Sequence, residues 1–144
     1  MGPRRVASLR TMQMAIKRLL RSLPPKYAVD MDAIYQQIVT FWSAVRFVLP
    51  EQWNNPRRHM LAKGIGVYAL MSIAGELVKE AIISNRVADL DYFIAKLSTF
   101  LDKVDWSNAG PLRGFGGASG ADAAFALLSQ IRQGAQSRSI IYAQ

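Results

Sequence analysis

Nine basic side chains carry most of the chemistry this sequence offers. Arg4, Arg5, Arg10, Lys17, Arg18 and Arg21 precede the first acidic residue, Asp30; Arg57 and Arg58 follow a Trp-Asn-Asn-Pro turn; Arg113 stands in a glycine-rich stretch. Guanidinium and ammonium groups in such clusters neutralise phosphates, which gives affinity for a nucleic acid and positions it without reading its sequence. With Lys26, the first 29 residues hold seven bases and no acid, whereas the remaining eleven bases are set against ten acids. Nearly all of the formal charge of +8 therefore resides in that first segment. Such asymmetry points to a polyanionic partner, nucleic acid first and an anionic membrane surface second. No residue is marked as a reader of base edges.

Other chemistries are poorly served. The chain has no cysteine, which excludes disulfides, thiolate metal sites and cysteine nucleophiles. His59 is the only imidazole, so no second histidine completes a metal pair, and its basic flanks suit a surface or capping residue better than a general base. Glu76 and Glu80 lie one helical turn apart beside Lys79 and read as a solvated face. Accordingly no catalytic residue, metal site or cofactor is expected. Gly110 to Gly120 is a glycine-rich run leading into a helix start, a place where backbone amides can hold phosphate. It lacks the Lys-Ser or Lys-Thr of a phosphate-binding loop, and Ser119 stands where a dinucleotide fingerprint needs its third glycine. The expectation is a turning connector whose Arg113 adds a secondary phosphate contact.

The elements that must position these groups are helical. Leu9, Met12, Ile16, Leu19, Leu20 and Leu23 form the stripe of a basic amphipathic helix over Val6 to Leu23, ended by Pro24-Pro25. An acid-free N-terminus of this kind also fits a transit peptide or a membrane-surface helix. Asp30 caps an aromatic-rich helix carrying Ile34, Ile38, Phe41, Trp42, Val45 and Val48, which Pro50 terminates. Gly64 and Gly66 mark a break or a close crossing before a central helix over Val67 to Ile83. Val87, Leu90, Ile94, Leu97, Leu101 and Val104 repeat at steps of three and four, a heptad-like seam expected to pack on a neighbour or on a second copy. Ser119 and Asp122 have the spacing of a capping box, so the last helix is expected over Gly120 to Arg132 with Gly134 at its C-terminal cap. The fold class is all-α, about five helices in a compact bundle, with the glycine-rich loop before the last helix. The expected organisation is a basic N-terminal helix over 1–29, a helical core domain over 30–134 and a polar tail over 135–144.

Three features in order carry a family resemblance: Phe41-Trp42-Ser43-Ala44-Val45 leading to Leu49-Pro50-Glu51-Gln52-Trp53; Lys63-Gly64-Ile65-Gly66 leading to Ala69-Leu70; and Val104-Asp105-Trp106 followed by glycines. Over roughly Asp30 to Arg132 the chain resembles the C-terminal helical part of DGQHR-domain proteins, the group that includes DndB-like members of bacterial DNA phosphorothioation systems. The resemblance implies a bacterial or archaeal, cytoplasmic, DNA-binding or regulatory protein of a DNA modification or defence system. It departs from the family in lacking the Asp-Gly-Gln-His-Arg signature, and the basic helix lies outside the matched region. The expected function is a non-enzymatic nucleic-acid-associated module. The alternative is a protein–protein interaction or oligomerisation module, using the Val87 to Val104 seam or the surface around Trp42 and Trp53, with a second copy or a larger partner protein.

Overall fold

The computed structural model describes residues 9–27, 30–61, 63–115 and 117–143. Its α-helices are α1 (Leu9–Arg21), α2 (Met31–Val48), α3 (Pro50–Asn54), α4 (Gly64–Ile83), α5 (Leu90–Ser98) and α6 (Gly117–Ala143). Short 3-10 turns occupy Pro25–Tyr27, Leu101–Lys103 and Pro111–Gly114. Among the described residues there is no strand, only an isolated antiparallel bridge between His59 and Ser107. The fold is all-α, as the helical periodicity of the chain predicts.

The apolar sequence of α4 has one physical solution, burial on nearly all sides. The helix lies between α1 and α6, while α2 packs on α5. Val67, Leu70, Met71, Ile73, Ala74 and Leu77 are all buried. The two groups of helices are tied by Tyr92 Oη, which donates to Leu77 O at 2.7 Å, and by Trp42 Nε1, which donates to Met71 Sδ at 3.3 Å. Phe41 stands edge-on to Phe93 at 5.5 Å and to Trp42 at 5.7 Å, joining α2 to α5 through ring contacts. Gly75 permits the α1–α4 crossing, since a Cβ there would come within 2.7 Å of Leu19 O.

Several ends follow the local chemistry. The Asp30 carboxylate accepts from Ala33 N at 3.1 Å, capping α2. Pro50 opens α3 as its first residue after Leu49 N has closed α2 on Val45 O. Asn85 closes α4 at φ 56°, one of the few non-glycine residue types tolerant of that region, and Arg86 N donates back to Ala81 O at 2.8 Å.

Four expectations are corrected. The Val87 to Val104 seam is not one helix: Asp89 accepts from Tyr92 N at 2.9 Å and starts α5 there, leaving Val87 78% exposed. Beyond Ser98 the chain turns through Leu101–Lys103, and the seam's late members Leu101 and Val104 reach the core from that turn. The last helix begins at Gly117, so Ser119 lies inside it rather than at its N-cap, and Gly134 does not end it. The helical backbone continues through the expected polar tail to Ala143.

Candidate nucleic-acid interface

α1 presents two opposed faces. At about 100° per residue, Arg10, Lys17 and Arg21 fall within about 40° of one another, while Ala15, Leu19 and Leu23 point the other way. The three bases are exposed and the three apolar residues are buried against the core. At about 1.5 Å rise per residue, Arg10 and Arg21 stand roughly 16 Å apart along the axis. None of the three has an ion-pair partner among the described residues.

Arg18 does not belong to this stripe, although the sequence groups it with Arg10, Lys17 and Arg21. Its side chain is only 10% exposed; Nε donates to Ser72 Oγ at 2.9 Å and a terminal nitrogen reaches Asp122 Oδ1 at 2.7 Å. It clamps α1 to α4 and to the second turn of α6. The physical reason lies in its angular place on the wheel, between the exposed stripe and the buried one, where a guanidinium must find partners as it leaves water. Lys17, Arg21 and the stem of Arg18 meet Met14, Tyr68 and Ala121 around a small cleft of about 80 Å³. The glycine-rich segment thus delivers the N-terminal end of α6, with its positive dipole end, to the same side as the α1 bases.

The other predicted bases form separate loci. Arg57 and Arg58 are exposed in the turn after α3, and that turn is laced to the segment after α5. Asn108 Nδ2 donates to Arg57 O at 2.6 Å, Asn108 N to Arg58 O at 3.0 Å, and Lys63 Nζ to Asn108 Oδ1 at 2.8 Å. Hydrogen bonds from Ser107 hold the Asp105 carboxyl below its ordinary value. His59 belongs to the same lacing, its Nδ1 lying 2.9 Å from Asn55 O. Arg113 is exposed on the Pro111–Gly114 turn, anchored by buried Leu112. Arg4 and Arg5 lie outside the described residues.

Two features escaped sequence reasoning. Glu76 and Glu80 are not a simple solvated face: buried Arg132 of α6 donates to both Glu80 oxygens at 2.7 Å and to Glu76 Oε2 at 3.4 Å. Partial burial outweighs Arg132 and pushes the Glu76 carboxyl above its ordinary value. The partner is 52 residues from Glu80, too far for any local pattern to show. The second feature is a groove of about 400 Å³ whose apolar lining includes Met12, Tyr35, Ile38, Val39, Trp42 and Trp53, with Arg46 at its edge. Trp42 and Trp53 were legible as a candidate contact surface; Tyr35 and Val39, four apart on the outer face of α2, were the unused signal.

Among the described residues no group of His, Cys, Asp and Glu is placed to hold a metal, and no helix is long and apolar enough to cross a membrane. No family model matches the sequence, and neither a curated protein nor a solved structure is significantly similar to it.

Proposed function

We propose that this chain is a non-enzymatic nucleic-acid-associated module that grips the phosphates of DNA with the outer face of α1. The observation that supports this reading is the stripe of Arg10, Lys17 and Arg21, exposed, free of ion pairs among the described residues and held on a helix whose opposite face is buried. A cationic stripe fixed to a rigid core neutralises phosphates without first losing its own flexibility. Arg57, Arg58 and Arg113 are secondary contacts, and Arg4 and Arg5 extend the N-terminal set. Arg18 serves by holding α1 in place. The resemblance to DGQHR-domain proteins favours a cytoplasmic role in DNA modification or defence, regulatory rather than catalytic.

The test is fluorescence anisotropy of a labelled duplex titrated across a salt series. Each neutralised phosphate contributes about 0.9 to the fall of log K against log salt. Changing Arg10, Lys17 and Arg21 together to Glu is expected to reduce the slope by about 3 while leaving the helical circular dichroism intact. An unchanged slope, or wild-type protein that binds no duplex at low salt and instead co-sediments with anionic vesicles, overturns the reading. A second reading, protein–protein interaction, is favoured by one specific observation: the outer face of α2 leaves Tyr35, Val39 and Phe47 uncovered.

A further inference from the structure

α2 carries Tyr35 63% and Val39 44% exposed as an apolar stripe on the side of the helix away from Ile34, Phe41 and Val45, with Met31 56% exposed at one shoulder and Phe47 68% at the other. Isolated exposed apolar residues are ordinary, but a run along a single helix marks a contact surface. Two charges flank the stripe on the same side: Asp32 in the first turn and Arg46 in the last. Neither has an ion-pair partner among the described residues.

The positions have a symmetry. Val39 lies midway in sequence between Asp32 and Arg46. Two copies of α2 laid antiparallel with Val39 on the dyad would bring each Asp32 beside the other copy's Arg46, because both charges lie within about 20° of Val39 around the helix. A twofold contact must be self-complementary in this sense, with residue i meeting residue j in both directions. The same placement sets the N-terminal end of one helix against the C-terminal end of the other, so the dipoles also agree. A parallel pairing would put Asp32 on Asp32 and Arg46 on Arg46. We infer that the occupant of this face is a second copy of the chain, bound through an antiparallel α2–α2 contact centred on Val39. The contact uses a surface distinct from the α1 stripe and stands whether or not that stripe binds DNA.

Sedimentation equilibrium on the whole chain tests it. Wild type at roughly 100 μM is expected to approach twice the 16.0 kDa chain mass, as a modest helix–helix interface with a micromolar dissociation constant allows. Val39→Glu is expected to give a monomer, since two carboxylates would meet on the dyad. Asp32→Arg alone and Arg46→Asp alone each place like charges together twice and are expected to weaken the dimer about tenfold or more. Mixing these two variants restores both opposite-charge pairs in the heterodimer, so the mixture is expected to dimerise where each component does not. Circular dichroism of each variant confirms that folding is retained. A wild type that stays monomeric at that concentration, as it would if the face served a different protein or a membrane, overturns the inference. So does a dimer indifferent to Val39→Glu, or single charge variants that dimerise as wild type does.

Discussion

Trp106→Ala lowers the free energy of unfolding by about 3–5 kcal/mol, read as a shift of the urea midpoint at unchanged slope. The indole is 1% exposed, and its Nε1 donates to Leu101 O at 3.0 Å. Truncation leaves a cavity and strips the shorter of two donors from the Leu101 carbonyl, which keeps the bond from Val104 N at 3.4 Å, so the cavity carries most of the cost. The surroundings collapse poorly because Trp106 sits where two irregular segments are already tied: its own carbonyl accepts from Met60 N at 2.6 Å, and the His59–Ser107 bridge lies beside it. Trp106→Phe keeps most of the packing and loses the donor, so it is expected to cost less than half as much. A Trp106→Ala change that costs under about 1 kcal/mol would show that the segment repacks freely and does not hold the Arg57–Arg58 turn.

The second large effect comes from a pair of glycines that should respond with opposite signs. A Cβ on Gly66 would collide with the carbonyl oxygens of Met60 and Leu61, both backbone atoms of the turn that leads into α4. Backbone cannot swing aside as a side chain does, so Gly66→Ala is expected at or beyond the upper end of the roughly 1–3 kcal/mol cost of overpacking. At Gly134 a Cβ meets no atom within 4 Å, and α6 runs through that position with ordinary helical backbone. Gly134→Ala should therefore raise stability by about 0.5–1 kcal/mol, the usual gain of alanine over glycine inside a helix. Were Gly134 a left-handed cap, the same change would destabilise. Thermal melts of the two variants beside wild type settle both signs in one experiment.

The sequence announced the helices whose signals are local. Asp30 as a cap, Pro50 as a stop and the unbroken apolar run of α4 each act within a few residues, and each behaves as its chemistry dictates. The Val87 to Val104 seam misled because periodicity records which side chains face the core, not whether the backbone between them stays helical. Leu101 and Val104 keep their buried places from a 3-10 turn, and the capping strength of Asp89 outweighs a further turn at Val87. Gly134 misled in the other direction, since a glycine cost of about 1 kcal/mol is small beside the helix-forming residues around it. On the α1 surface, composition located the charge but could not divide it. Whether a base faces water or a buried hydroxyl depends on Ser72 and Asp122, which are 54 and 104 residues from Arg18. The outward stripe of α2 was written at four-residue steps in Met31, Tyr35 and Val39, but it was hidden beneath the stronger inward pattern of Ile34, Phe41 and Val45.

The tryptophans occupy three unlike environments, and this gives the chain its own set of optical probes. Trp106 is sealed in the core, Trp42 rests its indole N–H on the sulfur of Met71, and Trp53 is half-buried 6.2 Å from Trp42 at the rim of the α2 groove. Emission from Trp106 reports global unfolding, whereas the coupled Trp42–Trp53 pair responds to whatever covers the groove. Wild-type protein can thus be followed by intrinsic fluorescence for folding and for association without a dye. Because the sequence has no cysteine, a single thiol introduced on the α1 face would accept a label at that site alone.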